Sequence, residues 1–364
     1  MGVCTFLIIA IMSLAVWKIF HTANLLIINK KLEVNFMENK AIIVYHNDMD
    51  GIFSGALIYD YEKNKNKTDW VKCIEVDYTI NLNDILKEDV SLNDLTVYFV
   101  DYSFSKKENV DVVNKILNNG NKVVWIDHHK SSENVFYEMP DKITENDNFK
   151  CMINIRYCAA VLCYEYITSL KNDKNILKYV NSWDIWKHDM INDREFNEGF
   201  TGNHYTAESF GEIIGGLLED ENKEQEFIYE CISKGKSICN YLDDNNESLC
   251  KSNGFEFRID YFGKEIKCFA LNQYGNSTVF GDRINEYDIV VLIKFNGDQF
   301  VYSLYSNKDE IDCSEIASAL GTFDGLGGGG HKGAAGFQVY ENIIYKDNTL
   351  KIYKSFGKTK VKVK

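Results

Sequence analysis

Three short apolar runs in the first half of the chain each end in an acid or an imidazole. Ala41-Ile42-Ile43-Val44-Tyr45 leads into His46-Asn47-Asp48-Met49-Asp50-Gly51, Val97-Tyr98-Phe99-Val100 into Asp101, and Val123-Val124-Trp125-Ile126 into Asp127-His128-His129. Runs this short and this rich in β-branched and aromatic residues predict buried strands, not helices. Ile52–Tyr61 and Lys106–Leu117, between them, predict helices. Strands alternating with helices predict a parallel α/β sheet, and such sheets take their ligands beyond the carboxyl ends of the strands. The three polar strand ends are therefore expected along one edge. Asp184 follows the helix-like Asn175–Val180 and stands between Trp183 and Trp186. By itself it reads best as a turn or capping residue, with the two tryptophans as core.

The pattern changes after about residue 205. A charged, helical stretch covers Ala207–Cys250, with Glu219–Glu224 as a solvated bend. Short strands follow at Phe255–Ile259, Ile266–Leu271, Ile289–Phe295 and Phe300–Tyr305. This predicts a second α/β lobe, in keeping with 364 residues and about two domains. Gly325–Gly330 formally satisfies G-x-G-x-x-G, but it follows the helix-like Cys313–Leu320 and precedes the strand-like Ala334–Val339. A dinucleotide fingerprint follows a strand and opens a helix, so that reading is set aside. Glycines let a backbone approach a ligand closely, and exposed N–H groups beside His331 and Lys332 suit a phosphate or a nucleotide edge.

Composition narrows the partners. The net charge is −14 and the pI about 5.1, whereas proteins that grip long nucleic acid present a basic face. The short basic tail Lys358–Lys364 is expected to fray. A few metal ions and cations can manage the few phosphates of a short substrate. Ten cysteines without a C-x-x-C pair read as reduced thiols in a cytoplasmic protein.

The set His46-x-Asp48-x-Asp50-Gly51, Asp101, Asp127-His128-His129 and Asp184 resembles the four motifs of the DHH phosphoesterase superfamily. Gly327-Gly328-Gly329-Gly330-His331-Lys332-Gly333-Ala334-Ala335-Gly336-Phe337 is similar to the signature of its DHH-associated C-terminal domain. The wording is most similar to the oligoribonuclease (nanoRNase) and cyclic-nucleotide phosphodiesterase branch. The resemblance implies an α/β fold of two lobes with a cleft between them: a DHH domain over 37–205, a helical linker over 206–250, a smaller DHH-associated domain over 251–345 and a basic tail over 346–364. It implies two divalent cations, Mn2+ with Mg2+ as the alternative. His46, Asp48 and Asp101 would hold one, and Asp50, Asp101, His128 and Asp184 the other, with Asp101 shared. Hard carboxylates mixed with imidazole suit those ions, and two of them can activate a water for in-line attack on phosphorus.

Asp127 would orient an imidazole from behind, and His129 would face the phosphate. Gly328, Gly329, Gly330, His331, Lys332, Tyr305 and Arg283 are the candidate substrate contacts. Many relatives carry Arg where Tyr305 stands; a Tyr could stack on a base or pack, and Arg283, Arg156 and Lys130 are candidates to grip phosphate instead. The expected activity is hydrolysis of short RNA or linear dinucleotides to nucleoside monophosphates. The alternatives are a cyclic mono- or dinucleotide, 3′-phosphoadenosine 5′-phosphate, and a non-catalytic nucleotide-binding module. Family II pyrophosphatases share the metal lobe but lack this glycine-His-Lys signature. Pairing of two copies is left open.

Val3–Trp17 and Leu25–Ile28 are apolar, with Lys18, His21 and Asn24 between, at the margin of the roughly 20 residues a spanning helix needs. Residues 3–28 would anchor the chain if translated. However, Lys31-Leu32-Glu33-Val34-Asn35 can be encoded by codons containing GGAGGTGA, a ribosome-binding sequence, ahead of Met37. The expectation is that translation starts at Met37 and that 1–36 is upstream sequence.

Overall fold

Apolar strands that follow one another through helices pair in parallel and are covered on both faces. In the first half they do so as β1 (Lys40–His46), β2 (Trp70–Val76), β3 (Leu95–Val100), β4 (Lys122–Asp127) and β5 (Phe149–Ile153). The structure is a computed structural model. It describes residues 39–363, apart from 78–79, 88, 90–92, 105–106, 172 and 356–357. Residues 1–36, with the anchor and the start-site reading, lie outside the described residues.

The five strands are all parallel, in the order β2-β1-β3-β4-β5. Ile42, Val44, Val97, Phe99, Val123 and Trp125 fill the core on one face and are almost fully buried. Helices α1 (Met49–Asp60), α2 (Lys107–Asn118), α3 (Lys130–Glu138), α4 (Ala159–Thr168) and α5 (Asn175–Asp184) connect the strands or follow the last of them. From β1 the chain goes to β2 on one side, then crosses to β3 on the other. The carboxyl ends of β1 and β3 thus flank the topological switch point, the ligand crevice of an open α/β sheet.

The chain divides into two compact units. The first holds the described residues up to Asp193 together with Asn203–Ile228; the second holds Arg194–Gly202 and Tyr229–Lys364. Two helices expected to form a linker therefore do other work. In α7 (Ala207–Glu219), which follows α6 (Asp193–Thr201), Phe210 and Ile214 are fully buried. The Phe210 ring lies 4.6 Å from that of Phe53 on α1, so α7 belongs to the first core. The chain breaks at Asp220 before α8 (Glu221–Asn253), but Glu224 is not solvated. It is 2% exposed, and its Oε1 accepts the Ile176 N–H at 2.8 Å, near the start of α5.

The second unit is built on an eight-stranded mixed sheet, β10-β11-β9-β8-β7-β6-β12-β13. Its strands are β6 (Phe255–Tyr261), β7 (Lys264–Asn272), β8 (Ile289–Phe295), β9 (Phe300–Tyr305), β10 (Gly328–Gly330), β11 (Ala334–Val339), β12 (Thr349–Ser355) and β13 (Lys358–Val363); α9 (Cys313–Leu320) packs against the sheet. Two expectations change here. The basic tail is a strand over Lys358–Val363, because it pairs antiparallel with β12 along its length. The glycine run is not all loop: Gly328–Gly330 pairs with Ala335–Phe337. A Cβ on Gly328 would stand 2.3 Å from the Ala317 carbonyl oxygen, so glycine there lets β10 lie against α9. Among the described residues no helix is long and apolar enough to cross a membrane, and the described cysteines are all free.

Candidate metal centre

The turn after β1 supplies three side chains within five residues. Asp48 caps α1, accepting the Gly51 N–H at 2.9 Å through Oδ1, which is the usual way a carboxylate satisfies a helix N-terminus. Its Oδ2 meets His46 Nδ1 at 2.8 Å. Asp50, in the first turn of the helix, points into the protein. Its two oxygens accept the N–H groups of Ala159 and Ala160 at 2.7 and 2.8 Å, so it caps α4 while facing the site. Asp101 follows β3 directly, with φ +54. Asp tolerates this left-handed conformation better than most residues.

The third strand end divides its labour. Asp127 is fully buried. Its Oδ1 accepts from the His128 N–H and from His129 Nδ1, both at 2.8 Å, and its Oδ2 accepts from the Ser132 hydroxyl. With its lone pairs so used, Asp127 holds His129 in place. Burial would lower the His129 pKa, but the charge and hydrogen bond of Asp127 outweigh it and raise it to about 9. Asp127 thus favours the protonated form of His129. His128 is buried without such a partner, and burial lowers its pKa despite the nearby Asp50 charge. It stays neutral, the form that ligates metal.

Asp184, at the end of α5 and not at a strand end, completes the cluster. His128 Nε2 lies 3.2 Å from Asp184 Oδ2, 3.3 Å from Asp101 Oδ1 and 3.7 Å from Asp50 Oδ2. On the other side His46 Nδ1 lies 3.9 Å from Asp101 Oδ2. Ligand atoms fall within 4.8 Å of one another in His46/Asp48/Asp101, in Asp50/His128/Asp184 and in Asp101/Asp127/His128/His129.

Four carboxylates crowd this space. Burial, then the charge of Asp184, pushes Asp50 up to about 7; burial, then the charge of Asp48, does the same to Asp184. Asp101 is raised further, by burial and by Asp48 and Asp50. Both oxygens of Asp101 and Oδ2 of Asp184 are buried without a hydrogen-bond partner. Buried carboxylate oxygens left unpaired are costly. Cations in their midst would satisfy them, and oxygen and imidazole donors suit hard or borderline divalent ions. The residues present fit such ions.

The substrate-contact candidates, residues 328–332, Tyr305 and Arg283, belong to the second unit. Arg283 is engaged by Glu247 through both guanidinium nitrogens, which leaves it a poor candidate to grip phosphate. Tyr305 pairs with Ala334 across β9 and β11 and packs against the cluster of Phe269 and Leu292, so its ring is partly used in packing. Gly329 and Lys332 are near the sheet edge, and the His331 N–H donates to the Ala334 carbonyl at 2.7 Å. Lys130 opens α3 and Arg156 lies exposed after β5. Sequence reasoning missed Ser132 and Asn181. Asn181 Oδ1 accepts the Cys158 N–H at 3.0 Å, tying the loop after β5 to α5. Cys158 lies 23 residues from Asn181, so no local pattern reveals that tie, whereas Ser132 stands only five residues after Asp127.

Asp127→Asn tests the orienting role. Asn offers one acceptor where three donors converge, so kcat on any substrate the protein turns over is expected to fall about 10- to 100-fold. KM is expected to hold, as steady-state kinetics would show.

Solved structures of low identity resemble the chain. An exopolyphosphatase-related protein from Bacteroides fragilis is 14% identical over 84% of this chain and 88% of its own, with a TM-score of 0.46. The pGpG-specific phosphodiesterase PggH from Vibrio cholerae is 12% identical over 83% and 93%, with a TM-score of 0.39. RecJ in complex with Mn2+ from Thermus thermophilus is 16% identical over 82% of this chain but only 49% of its own, with a TM-score of 0.45. No curated protein matches the chain. Residues 40–190, which supply every side chain of the acidic cluster, match the family described as DHH family, N-terminal domain.

Proposed function

We propose that the chain is a metal-dependent phosphodiesterase that hydrolyses short oligoribonucleotides or linear dinucleotides to nucleoside monophosphates. One observation carries the reading. The two oxygens of Asp101, both buried and both without a hydrogen-bond partner, face two different donor groups: Oδ2 toward His46 and Oδ1 toward His128. A carboxylate so placed is suited to be shared by two cations. His46 and Asp48 would complete one set of ligands, and Asp50, His128 and Asp184 the other. Two divalent ions, Mn2+ by preference, would supply positive charge to a phosphoryl oxygen and acidify an attacking water.

The chain's own residues do the rest. Asp127 engages His129 Nδ1, so contact with a substrate oxygen falls to Nε2. The protonated ring offers charge to the phosphate and a proton to the leaving oxygen. Asp50 holds the start of α4 in register with the site through Ala159 and Ala160. The net charge of −14 favours a substrate with few phosphates over a long polyanion.

Purified protein with Mn2+ is offered pApA, a five-nucleotide RNA, cyclic AMP, cyclic di-AMP, 3′-phosphoadenosine 5′-phosphate and pyrophosphate. Release of nucleoside monophosphates from the first two is expected, to be lost with EDTA and restored by Mn2+. Turnover of none of them would overturn the reading in favour of a binding module.

A further inference from the structure

The first unit carries a concavity whose wall includes Lys178 and Asn181 of α5, the helix that ends in Asp184. It is a cavity of about 500 Å3 lined by Tyr157, Val161, Lys171, Lys178, Asn181 and Met190, among others. Tyr157 lies in the loop that leaves the carboxyl end of β5, and the Asn181–Cys158 hydrogen bond fixes that loop to α5. Lys178 and Asp184 share α5, separated by about 9 Å along its axis at 1.5 Å per residue. The cavity therefore begins within reach of a nucleotide adjoining the metal ligands.

Its chemistry is that of a single-strand binder. Tyr157 is 41% exposed, and the Lys187 ammonium stands 5.9 Å from its ring centroid, within the range of a cation–π contact that steadies the ring. Lys171 and Lys178 add two exposed ammonium groups. Aromatic faces with nearby cations bind unpaired bases and the backbone that joins them. Glu165 and Asp189 also line the cavity. They balance the lysines, which disfavours a dense charge such as a triphosphate and suits one diester charge per base.

Resting on the phosphodiesterase reading above, we infer that this cavity is a subsite for a nucleotide beyond the scissile pair of a single-stranded oligonucleotide. Its base stacks on Tyr157 and its phosphodiester lies against Lys178 and Lys171. The preferred substrate is then longer than a dinucleotide.

The test separates binding from turnover. A fluorescein-labelled five-nucleotide RNA is titrated with the full chain in EDTA and followed by anisotropy. Tyr157→Ala is expected to raise Kd about tenfold, the worth of one base–aromatic stack. Tyr157→Phe is expected to restore it, and Lys178→Gln to raise Kd and flatten the salt dependence. With Mn2+, the ratio of kcat/KM for the five-nucleotide RNA to that for pApA is expected to fall about tenfold in Tyr157→Ala. RNA binding unchanged in both Tyr157→Ala and Lys178→Gln overturns the subsite, as does an equal loss on the two substrates. Tyr157-dependent binding without any hydrolysis would instead uphold the subsite and overturn the phosphodiesterase reading.

Discussion

Asp101→Asn is expected to lower Mn2+-dependent hydrolysis by at least about a thousandfold, since one substitution would weaken both of the proposed cation sites at once. Asn keeps the shape and tolerates the left-handed backbone at this position, so the loss would report ligand charge and not misfolding. A second readout needs no substrate. Mn2+ at about a hundred times its Kd adds about 2.7 kcal/mol to the folded state. For a domain of this size that raises Tm by about 5–10 °C, and in Asp101→Asn most of the rise should vanish.

Without metal the sign reverses. Asp101, Asp50 and Asp184 are pushed above the ordinary carboxylate range by burial and by one another. At pH 7 the unfolded chain has released protons that the folded site retains, so these groups oppose folding. Their cost disappears as the pH falls from about 7 to the ordinary value of 3.8. Metal-free Asp101→Asn should therefore be more stable than the parent at neutral pH, by about 1 kcal/mol. Equal melting temperatures with and without Mn2+ in the parent would count against the metal centre.

Gly51→Ala should damage both the fold and the metal centre although it removes no ligand. A Cβ there would stand 2.0 Å from the His46 carbonyl oxygen and 2.9 Å from its Cα. The obstacle is backbone, so no side chain can swing aside. The helix must move from the strand end, costing about 3 kcal/mol by the measure of overpacked cores. That turn carries His46, Asp48 and Asp50, so Mn2+-induced stabilisation should fall with it. Urea unfolding with and without Mn2+ measures both, and parental stability in Gly51→Ala would refute the close approach.

In the parallel sheet of the first unit the sequence reveals the strands whose burial is uniform and misses those whose burial is mixed. β1, β3 and β4 are central strands, covered on both faces, and read as unbroken apolar runs. β2 and β5 are the edges of the sheet. Lys72 and Glu75 interrupt the one and Lys150 the other, so neither stands out as a strand. Helix α7 reads as linker in the sequence because its charged face is legible locally while the Phe53 ring it packs on is far away along the chain. Glu224 is a polar residue that only a distant partner, the Ile176 N–H, explains.

By itself the sequence determined which side chains end the central strands, because the period of apolar residues and the position where it stops are local properties. It also carried the residues that resemble the DHH motifs, over the segment that the family model matches. Only the tertiary structure decided how those ends are used. Strand order sets β1 beside β3, and packing of α5 brings Asp184 to His128. Hydrogen bonds from Ser132 and His129 turn Asp127 into a support and leave Asp101 with two unpaired oxygens. Hydrophobic patterning is summed over neighbours in the chain. Convergence of charge is summed over neighbours in space, which a linear reading does not contain.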